Sequence, residues 1–134
     1  MTRRTAPPSG MPPPSRADTP AGEVGLVALA GEVCRRYGAE FPDEAARYEP
    51  GVWDAWCLHD NQHILSWAFA DVHQGIVDLA EQMAWLAGVL AARDYPAERL
   101  RRDLELAADV VREQLDDHDV AARLRLVAAT LVPG

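Results

Sequence analysis

The chain has 134 residues, enough for one domain and too few for two. Its formal charge is −8, with +2 on residues 1–20 and −10 on the rest, and all 13 basic residues are Arg. A body that acidic is repelled by phosphate backbones and anionic lipid, which excludes nucleic acid and membrane surfaces as partners.

Apolar content is 49% and Ala alone occurs 23 times, a composition that favours helices. No apolar run approaches the length of a membrane span. Arg3 and Arg4 are not followed by the apolar stretch of a secretory leader. Two cysteines, Cys34 and Cys57, do not make a disulfide framework, so reduced thiols and a cytoplasmic location are expected.

Residues 1–20 hold six of the ten prolines with Ser, Thr and Gly between them. Such a segment cannot bury apolar surface and reads as a disordered tail. The helical domain is expected over residues 21–134. A first helix carries Leu26, Val27, Ala30, Val33, Cys34 and Tyr37 at three- and four-residue steps and ends at Gly38. Pro42, Pro50 and Gly51 break the pattern around a short turn over Asp43–Tyr48.

A second helix is predicted from Val52 to His73, stopping at Gly75, and a third from Ile76 to Arg93. Pro96 opens a fourth helix striped by Leu100, Leu104, Ala107, Val111 and Leu115. Arg99, Arg101 and Arg102 read there as surface charge balanced by Asp103 and Glu105. Asp119 caps a last helix over Val120–Val132. The fold class is all-α: one bundle of about five helices.

The most informative segment is Trp53 to His63, which holds two Trp, one Cys, two His and two Asp. On a helical wheel centred on Cys57, the apolar residues of 52–73 cover an arc of about 220°. So wide an arc belongs to a helix surrounded by others. Asp60, Asn61 and Asp71 fall inside it, and His63 at its edge. A buried carboxylate needs donors or a proton, so Asp60 becomes the residue to explain.

Trp53, Trp56, Cys57, Asp60, His63 and Trp67 are therefore the candidate ligand-binding residues. His59 and His63 share the i, i+4 spacing of a metal pair, but no third ligand follows, and no metal or other cofactor is assigned. Cys57 lacks a base on its own side, and no phosphate loop is visible, so no enzyme is assigned. Trp85, with Val89, falls on the polar side of its helix and is the candidate interface.

The run Cys57-x-x-Asp60 with a nearby His and Leu65 resembles a helical module of bacterial B12-binding sensor and regulatory proteins. So does the later spacing of Trp85, Leu90, Arg93, Pro96, Leu100 and Leu104, and the similarity spans residues 53–112. Ile64 stands where that module carries its His, and the cobalamin signature Asp-x-His-x-x-Gly is absent. The resemblance implies a regulatory module that does not itself hold cobalamin. The expected function is a non-catalytic regulatory or assembly domain acting through protein partners, most simply as a homodimer. The alternative is a small-molecule or cofactor sensor with a pocket between helices.

Overall fold

A computed structural model describes residues 12–131 of the chain. Its helical periodicity becomes α1 (Leu26–Glu40), α2 (Pro42–Ala45), α3 (Val52–Gln74), α4 (Leu79–Ala91), α5 (Ala97–Leu115) and α6 (His118–Ala129). Five are long and α2 is a single turn, so the all-α bundle holds. No helix among the described residues is long and apolar enough to cross a membrane.

The first departure lies in the supposed tail. Arg16–Thr19 (β1) and Gly22–Gly25 (β2) pair antiparallel, with Ala17 opposite Val24 and both packed against the core. Thr19 closes the turn: its Oγ1 donates to Gly22 O (2.7 Å) and accepts from Ala21 N. The hairpin is fastened at its base, where Leu26 N donates to Ser15 O and Gln62 Nε2 to Pro14 O. Residues 12–20 thus belong to the folded body, whereas residues 1–11 of the expected tail lie outside the described residues.

Gly38 does not end α1, which runs on to Glu40. Its role is spatial: a Cβ there would meet the Trp53 ring at 3.2 Å, so glycine lets α3 approach α1. The start of α3 follows Gly51 at φ 84° and its end precedes Gly75 at φ 64°, both in the left-handed region that favours glycine. The next helix begins at Leu79, three residues later than its periodicity suggests. The reason is capping: Asp78 accepts from Ala80 N and Glu81 N, and Asp71 accepts from Leu79 N at 2.7 Å. Likewise α6 is capped by Asp117 rather than Asp119, through Val120 N. Val132, its expected end, lies outside the described residues.

The core is one cluster centred on α5, whose Leu104, Ala107, Val110 and Val111 are fully buried. This helix packs most extensively on α6 and also on α1. As its wide apolar arc requires, α3 touches α1, α2, α4, α6 and β1. Two polar contacts pin its far end. His73 Nε2 meets Asp117 at 2.7 Å, and Arg123 of α6 reaches Asp71 at 3.2 Å.

Candidate functional site

Where the N-terminal half of α3 faces α1, α2 and α5, the side chains leave a cavity of about 50 Å³, partly open to solvent. Its wall is aromatic and acidic. Tyr37, Tyr48, Trp53, Trp56 and Tyr95 supply the rings; Glu44, Asp60 and Asp103 the carboxyls; Leu86 and Leu90 of α4 part of the apolar side. Asn61 and Cys57 complete the α3 face.

One side of the wall is a closed polar chain. Tyr37 O–H donates to Glu44 Oε1 at 2.5 Å, and the two tyrosine hydroxyls lie 2.6 Å apart. Because Tyr37 gives its proton to Glu44, its oxygen takes the one from Tyr95. Glu44, only 5% exposed, also accepts from Arg99 (2.8 Å) and from the Trp53 indole N–H (3.4 Å). Arg99 in turn lies over the Phe41 ring, 4.5 Å from its centroid. Burial and the carboxylate neighbour push the Tyr37 hydroxyl above its ordinary range, and burial does the same to Tyr95. Both remain phenols at any physiological pH. Every member of this chain is paired.

The opposite side is not. Asn61 is 2% exposed and its Nδ2 donates to Cys57 O (3.0 Å) and to Asp103 Oδ1 (3.1 Å). The Cys57 carbonyl can only accept, which fixes the amide orientation. Its Oδ1 is left buried without a hydrogen-bond partner, the one such side-chain atom among the described residues. An orphaned buried acceptor costs about 1–3 kcal/mol.

Asp103 is the second anomaly. It is 5% exposed, and burial, aided by Asp60 and Glu44, pushes its carboxyl up to about 7 despite the bond from Asn61. Near neutrality it is poised between acid and carboxylate.

The sulfurs complete this side. Cys34 of α1 and Cys57 of α3 form a disulfide, with Cα atoms 6.0 Å apart, which overturns the expectation of two reduced thiols. Asn61 Nδ2 lies 3.6 Å from Cys34 Sγ and 3.5 Å from Cys57 Sγ. One amide thus touches the disulfide and the buried acid together.

The candidates read from sequence are divided by this geometry. Trp53, Trp56, Cys57 and Asp60 line the cavity. His63 and Trp67 do not line it; they continue a ladder of rings along α3, Trp56–His59–His63–Trp67, with successive centroids 5.2, 4.8 and 5.7 Å apart. Burial, then the neighbouring His59, hold His63 below the ordinary imidazole value. His59 and His63 meet ring edge to face, and no group of three or more His, Cys, Asp or Glu placed to hold a metal occurs among the described residues.

Asp60 is not the buried carboxylate that the wheel suggests: its side chain is 24% exposed and 3.1 Å from His59 Nδ1. The buried positions are its neighbour Asn61 and, across the cavity, Asp103, which is no surface counter-charge. Glu105 is the expected partner of Arg101 and Arg102, but Asp103 pairs with none of the three; Arg99 reaches Asp43 and Glu44, and Arg102 also Glu40. Glu44, Tyr95 and Asp103 were not singled out from the sequence. Only Asp103 carried a signal, since it lies three residues after Leu100 and four before Ala107 on the apolar stripe.

No protein-family model, curated protein or solved structure matches the chain.

Proposed function

We propose that the chain is a non-catalytic, cytoplasmic helical sensor domain that binds a small organic ammonium ion in this cavity and signals through a protein partner. The observation that carries the reading is Asn61 Oδ1, a buried acceptor without a donor, beside Asp103 in a wall with no cationic side chain. Such a wall offers acceptors and π faces, the surroundings that an alkylammonium ion needs. The cavity is about the size of two waters, room for an ammonium group and one or two carbons. The N–H groups would satisfy Asn61 Oδ1 and ion-pair with Asp103, while Trp53 and Trp56 flank the carbons. Resemblance to a helical regulatory module agrees with a sensor, and the ligand reading asks nothing of cobalamin.

A cation selects the ionised form of Asp103. Affinity therefore rises with pH through about 7, by about tenfold between pH 6 and pH 8. Titration of the tryptophan fluorescence with methylammonium and ethylammonium tests this. The expected result is saturable binding with that pH dependence, absent for acetate and ethanol and lost in Asn61→Leu. Equal binding of acetate or ethanol, or no saturation by either amine, would overturn the reading.

A second reading rests on a separate surface. Trp85 is 61% exposed on α4, with Val89 one turn further on, and Ile76 is 73% exposed just before the helix. Large exposed aromatics concentrate at interfaces, so α4 is proposed as the homodimer or partner face. Sedimentation should show Trp85→Ala as a lighter species than the wild type at equal concentration. An unaltered profile removes Trp85 from the interface.

A further inference from the structure

The disulfide stands in chemical surroundings that a purely structural cross-link does not need. Structural disulfides are commonly packed among apolar groups; here a single amide nitrogen, Asn61 Nδ2, contacts both sulfurs and the Asp103 carboxyl. Cys57 and Asp103 also share the wall of one cavity. A water-sized space between a sulfur and a buried acid is a path for a proton. Both cysteines are partly exposed as residues, and exchange requires that an external thiolate reach a sulfur through that exposure.

We propose that Cys34 and Cys57 are a redox-active pair that exchanges with an external dithiol, with Asp103 carrying the proton for Cys57 and Asn61 positioning both. The external thiolate attacks Cys34 Sγ, the sulfur outside the cavity wall. An S–S bond forms between the external sulfur and Cys34, and the Cys34–Cys57 bond breaks. Its electron pair leaves on Cys57 as a thiolate beside the Asn61 N–H. Asp103 gives its proton to that thiolate and is reprotonated from solvent. The second thiolate of the dithiol then attacks the external sulfur of the mixed disulfide and releases Cys34, which takes a proton from solvent. The chain gains two electrons and two protons, and the dithiol becomes a disulfide. Oxidation runs the same steps backwards, with Asp103 as carboxylate accepting the Cys57 proton.

The other titratable groups facing Asp103 do not substitute for it. Tyr37 of α1 and Tyr95 before α5 keep their protons, and Glu44 of α2 is occupied by Tyr37, Trp53 and Arg99. Asp60 of α3 lies against His59, and α4 offers Leu86 and Leu90 only.

The proposal does not depend on ammonium binding and is tested without an amine present. The oxidised full chain is mixed with excess dithiothreitol at pH 5.5 to 8.5, and the thiols formed are trapped with an alkylating agent and counted by mass. The rate is divided by the dithiothreitol thiolate concentration at each pH. In the wild type this corrected rate should fall about tenfold from pH 6 to pH 8, as Asp103 loses its proton. Asp103→Asn should be flat over that range, while Glu81→Gln, on the exposed side of α4 and outside the cavity, should keep the fall. A flat wild-type profile, a fall that persists in Asp103→Asn, or reduction that occurs only after denaturant unfolds the chain would each overturn the proposal.

Discussion

Asp103→Asn should make the protein more stable than the wild type at pH 8, by on the order of 4 kcal/mol, and leave it nearly unchanged at pH 4. The sign follows from proton counts. With its carboxyl pushed up to about 7 by burial, Asp103 holds a proton in the folded state between roughly pH 4 and pH 7 that the unfolded chain has already released. Stability from this group is thus fully present at acid pH and is lost as pH rises towards 7. Each pH unit in that interval costs about 1.4 kcal/mol. Asparagine has the same shape, can still accept from Asn61 Nδ2, and does not ionise. Paired carboxylates such as Asp43, held low by Arg99, act in the opposite direction, but they are common to both proteins and cancel in the comparison. Urea unfolding at pH 4, 6 and 8 measures it. A variant less stable than the wild type at pH 8, or a difference independent of pH, contradicts the burial of a poised acid.

Replacing both cysteines by alanine should cost about 3 kcal/mol in the absence of reductant. The cross-link closes a loop between residues 23 apart in sequence and joins α1 to α3. Its removal restores conformational freedom to the unfolded chain, and the cost follows the logarithm of loop length. The variant should still fold, because the stripe of α5 and its packing on α6 do not pass through the disulfide. Dithiothreitol should bring the wild type down to the variant's stability and leave the variant unmoved. A loss below about 1 kcal/mol would mean that the pair does not constrain the chain.

Helix placement was legible wherever a stripe and a breaker coincide. Pro96 and the Leu100–Leu104–Ala107–Val111 stripe locate α5, and Gly51 and Gly75 bracket α3, whose wide apolar arc does correspond to contacts on several sides. The hairpin was not legible. Its strands have four residues each, only Ala17 and Val24 face inward, and the turn is Pro20-Ala21 instead of a glycine pair. Its stability comes from packing on α3 and from Gln62, which no local pattern announces.

The site was half legible for a similar reason. A wheel ranks residues of one helix by angle and therefore found the cavity-facing Trp53, Trp56 and Cys57. It also chose Asp60 over Asn61, although these neighbours lie 100° apart and which one is buried depends on the helices beyond. Asp103 was visible in the stripe of α5 but was read as the counter-charge of adjacent arginines. Those arginines reach Glu40, Glu44 and Glu105 instead, at separations of up to 62 residues. Glu44 and Tyr95 meet only through the tertiary fold. The disulfide likewise follows from the approach of α1 to α3, which Gly38 permits under the Trp53 ring.

The central claim is that a poised acid and an unfilled amide acceptor form one cation site. The most direct test is a carbon-13 titration of the Asp103 carboxyl, with and without saturating methylammonium. The free protein should titrate near 7, and methylammonium should lower the midpoint by at least about one pH unit. A midpoint near 4 in the free protein, or one that methylammonium does not move, would contradict the account.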